Sequence, residues 1–159
     1  MRQWRTAKEN DVATKRTKKD DLFEAGLKVR KKVLTAEYVD RQFAGASDFT
    51  LPMQEMATRA WGLTWARPGL PHKIRSMLNI AFLIALDKPE ELDTHVTGAL
   101  RNGVTPDEIL EVIIQSAVYC GFPAALRGTR IARQALERWQ AGEGRAAARG
   151  AKGRARRAG

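Results

Sequence analysis

Glu91 and His95 stand four residues apart, a spacing that on a helix puts a carboxylate and an imidazole on one face, within hydrogen-bonding reach. A carboxylate beside an imidazole orients the ring and raises its pKa, which suits a proton donor working near neutral pH. Taken alone, such a pair is more often an ordinary surface or interface contact. Arg67 and Arg75 are candidates for a carboxylate clamp, because guanidinium meets a carboxylate through two parallel hydrogen bonds. The competing reading for each is a helix-end charge or a subunit salt bridge. Trp61 and Trp65, one helical turn apart, suit a stacking wall for a flat ligand, although a core or interface stripe is the commoner outcome.

Three further positions draw attention. Asn79 is the one polar residue between Met77 and Leu86. It predicts a helix-to-helix hydrogen bond, since a buried unpaired amide costs about 1–3 kcal/mol. Tyr119 and Cys120 end a helix just before Gly121 and could line a pocket, though a buried thiol is usually a small hydrophobe. His72, beside Pro71 in a first turn, reads as surface.

The elements that must position these residues all read as helices. Leu22, Ala25, Gly26, Val29, Val33 and Leu34 recur at three- and four-residue steps and predict a first helix from Asp20 to Leu34. A second runs from Thr50 to Trp65 with Pro52 in its first turn, where a missing N–H costs little. Pro71 opens a third, to about Asp87, apolar nearly all round from Met77 onward. Pro89 opens a fourth, closed by Gly103. Thr105-Pro106-Asp107-Glu108 is a capping box that starts a fifth, which stops at Gly121, and Pro123 opens a sixth ending near Trp139. The fourth and fifth, joined by a tight turn, predict an antiparallel hairpin. With no alternating β-branched runs bounded by hairpin turns, the chain reads as all-α.

At 159 residues the chain suits one domain with a real core. Its formal charge of +10 sits at the ends: residues 1–20 carry seven Lys/Arg against three Asp/Glu, and residues 141–159 carry six against one. The domain is therefore placed at residues 20–140. Residues 1–19 and the Ala/Gly/Arg-rich residues 141–159 read as disordered, because neither can bury enough apolar surface to offset its ordering entropy. A non-specific solvated basic end is favoured there over a nucleic-acid interface. The single cysteine, Cys120, permits no intrachain disulfide and points to the cytoplasm; no apolar segment follows Arg2, Arg5 and Lys8 to make a secretory signal. The most apolar run, Met77–Leu86, falls well short of the roughly 18 residues of a membrane span, so a soluble protein is expected.

The order and spacing of Trp61-Gly62, Trp65-Ala66-Arg67-Pro68-Gly69-Leu70, Arg75 to Ala81, Glu90-Glu91-Leu92 with His95, Asn102-Gly103-Val104-Thr105 and Tyr119 to Ala125 closely resemble the carboxymuconolactone decarboxylase family. The likeness extends upstream through Gly26-Leu27-Lys28-Val29-Arg30 and Ala44 to Phe49, and downstream to about Trp139. It implies an AhpD-like all-helical fold of about six helices and a homo-oligomer, trimer or hexamer, with sites near subunit contacts. It also implies decarboxylation of 4-carboxymuconolactone to 3-oxoadipate enol-lactone, a step of protocatechuate breakdown, with His95 and Glu91 catalytic and Arg67, Arg75, Trp65 and Tyr119 binding substrate. The lactone ring is its own electron sink, so no cofactor or metal is required, and the sequence holds two histidines, one cysteine and no clustered metal-ligand pattern. The peroxidase branch of the superfamily carries Cys-x-x-Cys-x-x-x-His; here Lys88 and Glu91 stand where it has cysteines, and Ser76 where it has a glutamate, which disfavours thiol chemistry. The alternatives are a related member acting on another carboxylated lactone or small acid, or a non-catalytic helical oligomer that binds nucleic acid through its tails.

Overall fold

The computed structural model describes residues 21–155, with side chains as far as residue 142. Among these residues the chain forms seven helices and no strand. They are α1 (21–34), α2 (Ala36–Ala44), α3 (Leu51–Thr64), α4 (His72–Ala85), α5 (Pro89–Arg101), α6 (Pro106–Cys120) and α7 (Phe122–Ala155). The domain read over residues 20–140 contains two compact units, divided after Pro71.

In the first unit, α1 and α3 approach until their backbones touch. A Cβ added at Gly26 would lie 1.8 Å from the Thr58 carbonyl oxygen, and one at Gly62 would lie 2.1 Å from that of Leu22, so only glycine permits this approach. Beside the contact, Val33, Leu34, Val39 and Trp65 are buried, and Leu27, Tyr38, Phe43 and Trp61 pack against them. Arg30 of α1 is buried and donates to the Thr58 hydroxyl and the Gln54 side-chain oxygen of α3, each at 3.0 Å. Thr35 caps α2 by accepting from the Tyr38 N–H, and does so at φ 89°, a conformation costly for a β-branched residue.

The second unit is built around Ile80 and Ile84 of α4, Leu92, Val96 and Ala99 of α5, Ile109 and Ile113 of α6, and Ala125, Ala132 and Ala135 of α7. Gly128 lets α7 close on Ile84, whose side chain would stand 3.0 Å from an added Cβ. The capping box forms as its sequence predicts: Thr105 N–H donates to Glu108 at 2.8 Å, and Glu108 N–H donates to the Thr105 hydroxyl at 3.2 Å. Lys73 reaches across from α4 to the same carboxylate at 2.7 Å.

Three features differ from the sequence reading. The additional helix, α2, is short and has a single buried residue, Val39, so it leaves little periodic signal. The expected α5–α6 hairpin is not a packed pair: α5 packs on α4 and α7, and α6 does likewise. The turn at Gly103, φ 81°, still joins them tightly, but the buried faces of both helices point at α4 and α7 instead of at each other. Finally, α7 does not end near Trp139 but continues to Ala155, because alanine and arginine are strong helix formers and no proline interrupts the run. The disorder expected for residues 1–19 lies outside the described residues, as do residues 156–159.

Candidate active site

His95 lies on α5 immediately before Val96, which is fully buried, and Asn79 lies on α4 immediately before Ile80, also fully buried. Burying those two apolar neighbours sets both polar side chains at the edge of the α4–α5 seam, where each is half-buried. There the Asn79 amide nitrogen stands 3.4 Å from Nδ1 of His95. This is the helix-to-helix bond that a lone amide in an apolar run predicts, and its partner is the candidate catalytic residue. With the amide nitrogen as donor, Nδ1 is the acceptor, an arrangement that requires the ring proton on Nε2.

The expected direction of the His95 pKa is not what the structure gives. Burial pushes it down from 6.5 to about 4, and Glu91, one turn earlier, pulls it up but does not compensate. The reason is that Glu91 is exposed, so water screens its field, whereas the ring itself has lost solvent. His95 is therefore neutral at pH 7 and is not a stored imidazolium acid.

Arg75 stands one turn before Asn79 on the same face of α4 and is half-buried. On this seam Asn79 and His95 meet, with Arg75 one turn before Asn79 on α4 and Glu91 one turn before His95 on α5. A second cross-link fixes its register: Ser76, almost fully buried, accepts from the side chain of Asn102, the C-cap of α5, at 2.9 Å. The role of Asn102 was not read from the sequence; its place in a helix-ending Asn-Gly left no hint of a tertiary partner.

Of the remaining candidates, Tyr119 belongs to the second unit, and Trp65 and Arg67 to the first. Tyr119 is exposed at the end of α6 and, with Cys120, lines a groove of about 500 Å³ whose α4 wall is Ile74, Met77, Leu78 and Ala81. At roughly 100° per residue, Asn79 is at least about 100° around α4 from each of those four, so the groove and the His95 seam occupy different sides of the helix. Trp65 belongs to the first unit, where it is 6% exposed and stacks on Trp61 at 4.6 Å between ring centroids. It fills that core and offers no open face, which is the commoner fate of such a pair. Arg67 is exposed in the turn that follows α3. No group of three or more His, Cys, Asp or Glu among the described residues is arranged to hold a metal ion.

Comparison with known proteins places this arrangement. Residues 52–134, which include the whole α4–α5 seam, match the carboxymuconolactone decarboxylase family model. The chain is 43% identical over 116 residues to a nitrosuccinic acid decarboxylase of Metarhizium robertsii, covering 72% of this chain and 81% of that protein. It is 38% identical over 119 residues to a 4-carboxymuconolactone decarboxylase of Acinetobacter baylyi, covering 74% of this chain and 89% of that one.

Proposed function

Because the chain belongs to the carboxymuconolactone decarboxylase family, we propose that it is a carboxy-lyase that converts 4-carboxymuconolactone to 3-oxoadipate enol-lactone and CO2. Decarboxylation is the activity in the names of both relatives. The observation that carries the reading is the His95–Asn79 seam, a half-buried polar cluster within the residues that match the family.

The chemistry assigns each member a task. When CO2 leaves, the electron pair of the broken C–C bond moves through the ring double bond to the lactone carbonyl and leaves a dienolate with its charge on oxygen. His95, neutral and protonated on Nε2, donates a hydrogen bond to that oxyanion. Glu91, open to solvent one turn away, relays one proton from water to the ring carbon, and the hydroxide left behind is taken up by the released CO2 as bicarbonate, which completes the balance. Arg75 pairs with the carboxylate that the product keeps. We also place the reaction in the cytoplasm and infer that the subunits form a trimer or hexamer. The exposed apolar residues Leu78 and Phe82 of α4, and Ile114 and Val118 of α6, support association. Among the described residues no helix is long and apolar enough to cross a membrane.

The second reading, decarboxylation of nitrosuccinate, is favoured by the 43% identity. Loss of CO2 from the carbon bearing the nitro group leaves a nitronate, again an oxyanion beside a retained carboxylate, so the same seam serves. Release of CO2 from each compound by the purified protein decides between them. The lactone is expected to react with kcat/KM at least about tenfold higher. The reverse ratio would reassign the substrate, and no release from either compound would overturn the carboxy-lyase reading.

A further inference from the structure

Asn79 meets His95 at Nδ1, so the ring's second nitrogen, Nε2, is the atom left to carry the proton. The bond at 3.4 Å joins α4 to α5, and the Ser76–Asn102 bond at 2.9 Å ties the same two helices again, three residues earlier on α4 and seven later on α5. Two polar rungs hold this seam, and the inner member of the second, Ser76, is almost fully buried. We propose that Asn79 is a positioning residue that holds His95 in its Nε2–H tautomer, so that the imidazole meets the substrate as a neutral hydrogen-bond donor. This rests on the carboxy-lyase reading for its consequence in turnover, but the tautomer itself is a property of the free protein.

The charges on the elements packed at this seam leave burial as the dominant effect on the ring. Glu91 on α5 is the acidic neighbour that acts on it, and burial outweighs that effect. On α4, Arg75 stands one turn before Asn79. From α7 comes Arg138, which is bonded to Asp93. An amide donor at Nδ1 works in the same direction, because an imidazolium would carry a proton on that nitrogen and face the amide donor to donor. A neutral imidazole whose other nitrogen is fixed by a fold partner keeps its N–H aimed, whereas an unpinned ring divides between two tautomers and loses part of its donor population.

The test is nitrogen NMR of the full chain labelled with 15N-histidine, with His72→Gln used to assign the two rings. At pH 7 His95 is expected to show the neutral Nε2–H pattern. Asn79→Leu should turn it into a mixture of tautomers and lower kcat by about tenfold or more, with KM nearly unchanged, since substrate affinity does not depend on this bond. Asn79→Asp, nearly isosteric and so suited to the case in which the leucine variant fails to fold, should invert the pattern to Nδ1–H and move the acid limb of the rate profile to higher pH. An Nδ1–H tautomer or an imidazolium in the unmodified protein at pH 7 would overturn the proposal, as would unchanged tautomer and kcat in the folded variants. Absence of decarboxylation alongside the Nε2–H pattern would overturn the functional reading and leave the positioning upheld, so the two failures are separable.

Discussion

Arg30 in the first unit and His95 in the second are basic side chains drawn out of water and bonded to neutral partners. Arg30 donates to a hydroxyl and an amide oxygen, with its Nε buried and unpartnered among the described residues; His95 accepts from an amide. Burial lowers both pKa values, opposed by Tyr38 for Arg30 and by Glu91 for His95. The outcomes differ because the starting points differ. Arginine begins far above neutrality and remains charged, so it acts as a permanent tie between α1 and α3. Histidine begins at 6.5 and gives up its proton, so the second unit gains a neutral donor. A similar packing environment thus yields a structural charge in one unit and a reactive, uncharged group in the other.

The largest expected effect removes the enclosure of Arg30. Gly26→Ala places a Cβ 1.8 Å from a backbone oxygen of α3, where no rotamer change can relieve it. The helices must separate, at a cost of about 3 kcal/mol or more, seen as a lowered denaturation midpoint. A midpoint within 0.5 kcal/mol of the original, on the roughly ±0.5 scale of surface changes, would mean that the approach of α1 to α3 is not tight.

His95→Gln keeps hydrogen-bonding capacity but discards the aimed ring N–H, and turnover should fall by about 10²-fold or more while the fold and oligomer size persist. Near-normal turnover in a folded protein would remove His95 from the site and turn attention to Arg75, Arg67 or Tyr119.

The third prediction concerns pH. His95 has a folded pKa of about 4 against an unfolded value of 6.5, so the unfolded chain binds more protons between them. Its stabilising contribution is complete above pH 6.5 and is lost as pH falls toward 4, amounting to roughly 2 kcal/mol by pH 5. Denaturation of the unmodified protein and of His95→Gln, compared at pH 7.5 and pH 5, should diverge by that amount, the histidine form losing more. Equal losses would show that the ring titrates normally.

The smallest effect is expected where the comparison seems to demand a large one. Arg30→Met replaces a buried cation that has no carboxylate partner among the described residues with an apolar chain of similar length, and Thr58 keeps its own bond to the Gln54 carbonyl at 2.8 Å. Stability should change by less than about 1 kcal/mol, because removing the burial cost of the charge offsets the lost hydrogen bonds. A loss above about 3 kcal/mol would identify Arg30 as a net stabiliser.

What the sequence determined by itself is what acts over a few residues. Pro71, Pro89 and the Thr105–Glu108 box open α4, α5 and α6 where they were read, Gly103 and Gly121 close α5 and α6 with φ values of 81° and 89°, and the Glu91–His95 spacing sets one face of α5. The solitary polar Asn79 even announced that it needed a partner. Tertiary structure decided the rest. That the partner is Nδ1 of His95, sixteen positions away, depends on how Ile80 and Val96 bury themselves. The sign of the His95 pKa shift depends on how much water that burial removes, which no spacing encodes. The placement of Tyr119 on another side of α4, of Trp65 inside the first unit's core, and of α5 and α6 against α4 and α7 follows from packing across the whole chain. Caps and periodicity are local terms with local signals, whereas desolvation and partner choice belong to the assembled core and exist only once distant helices have met.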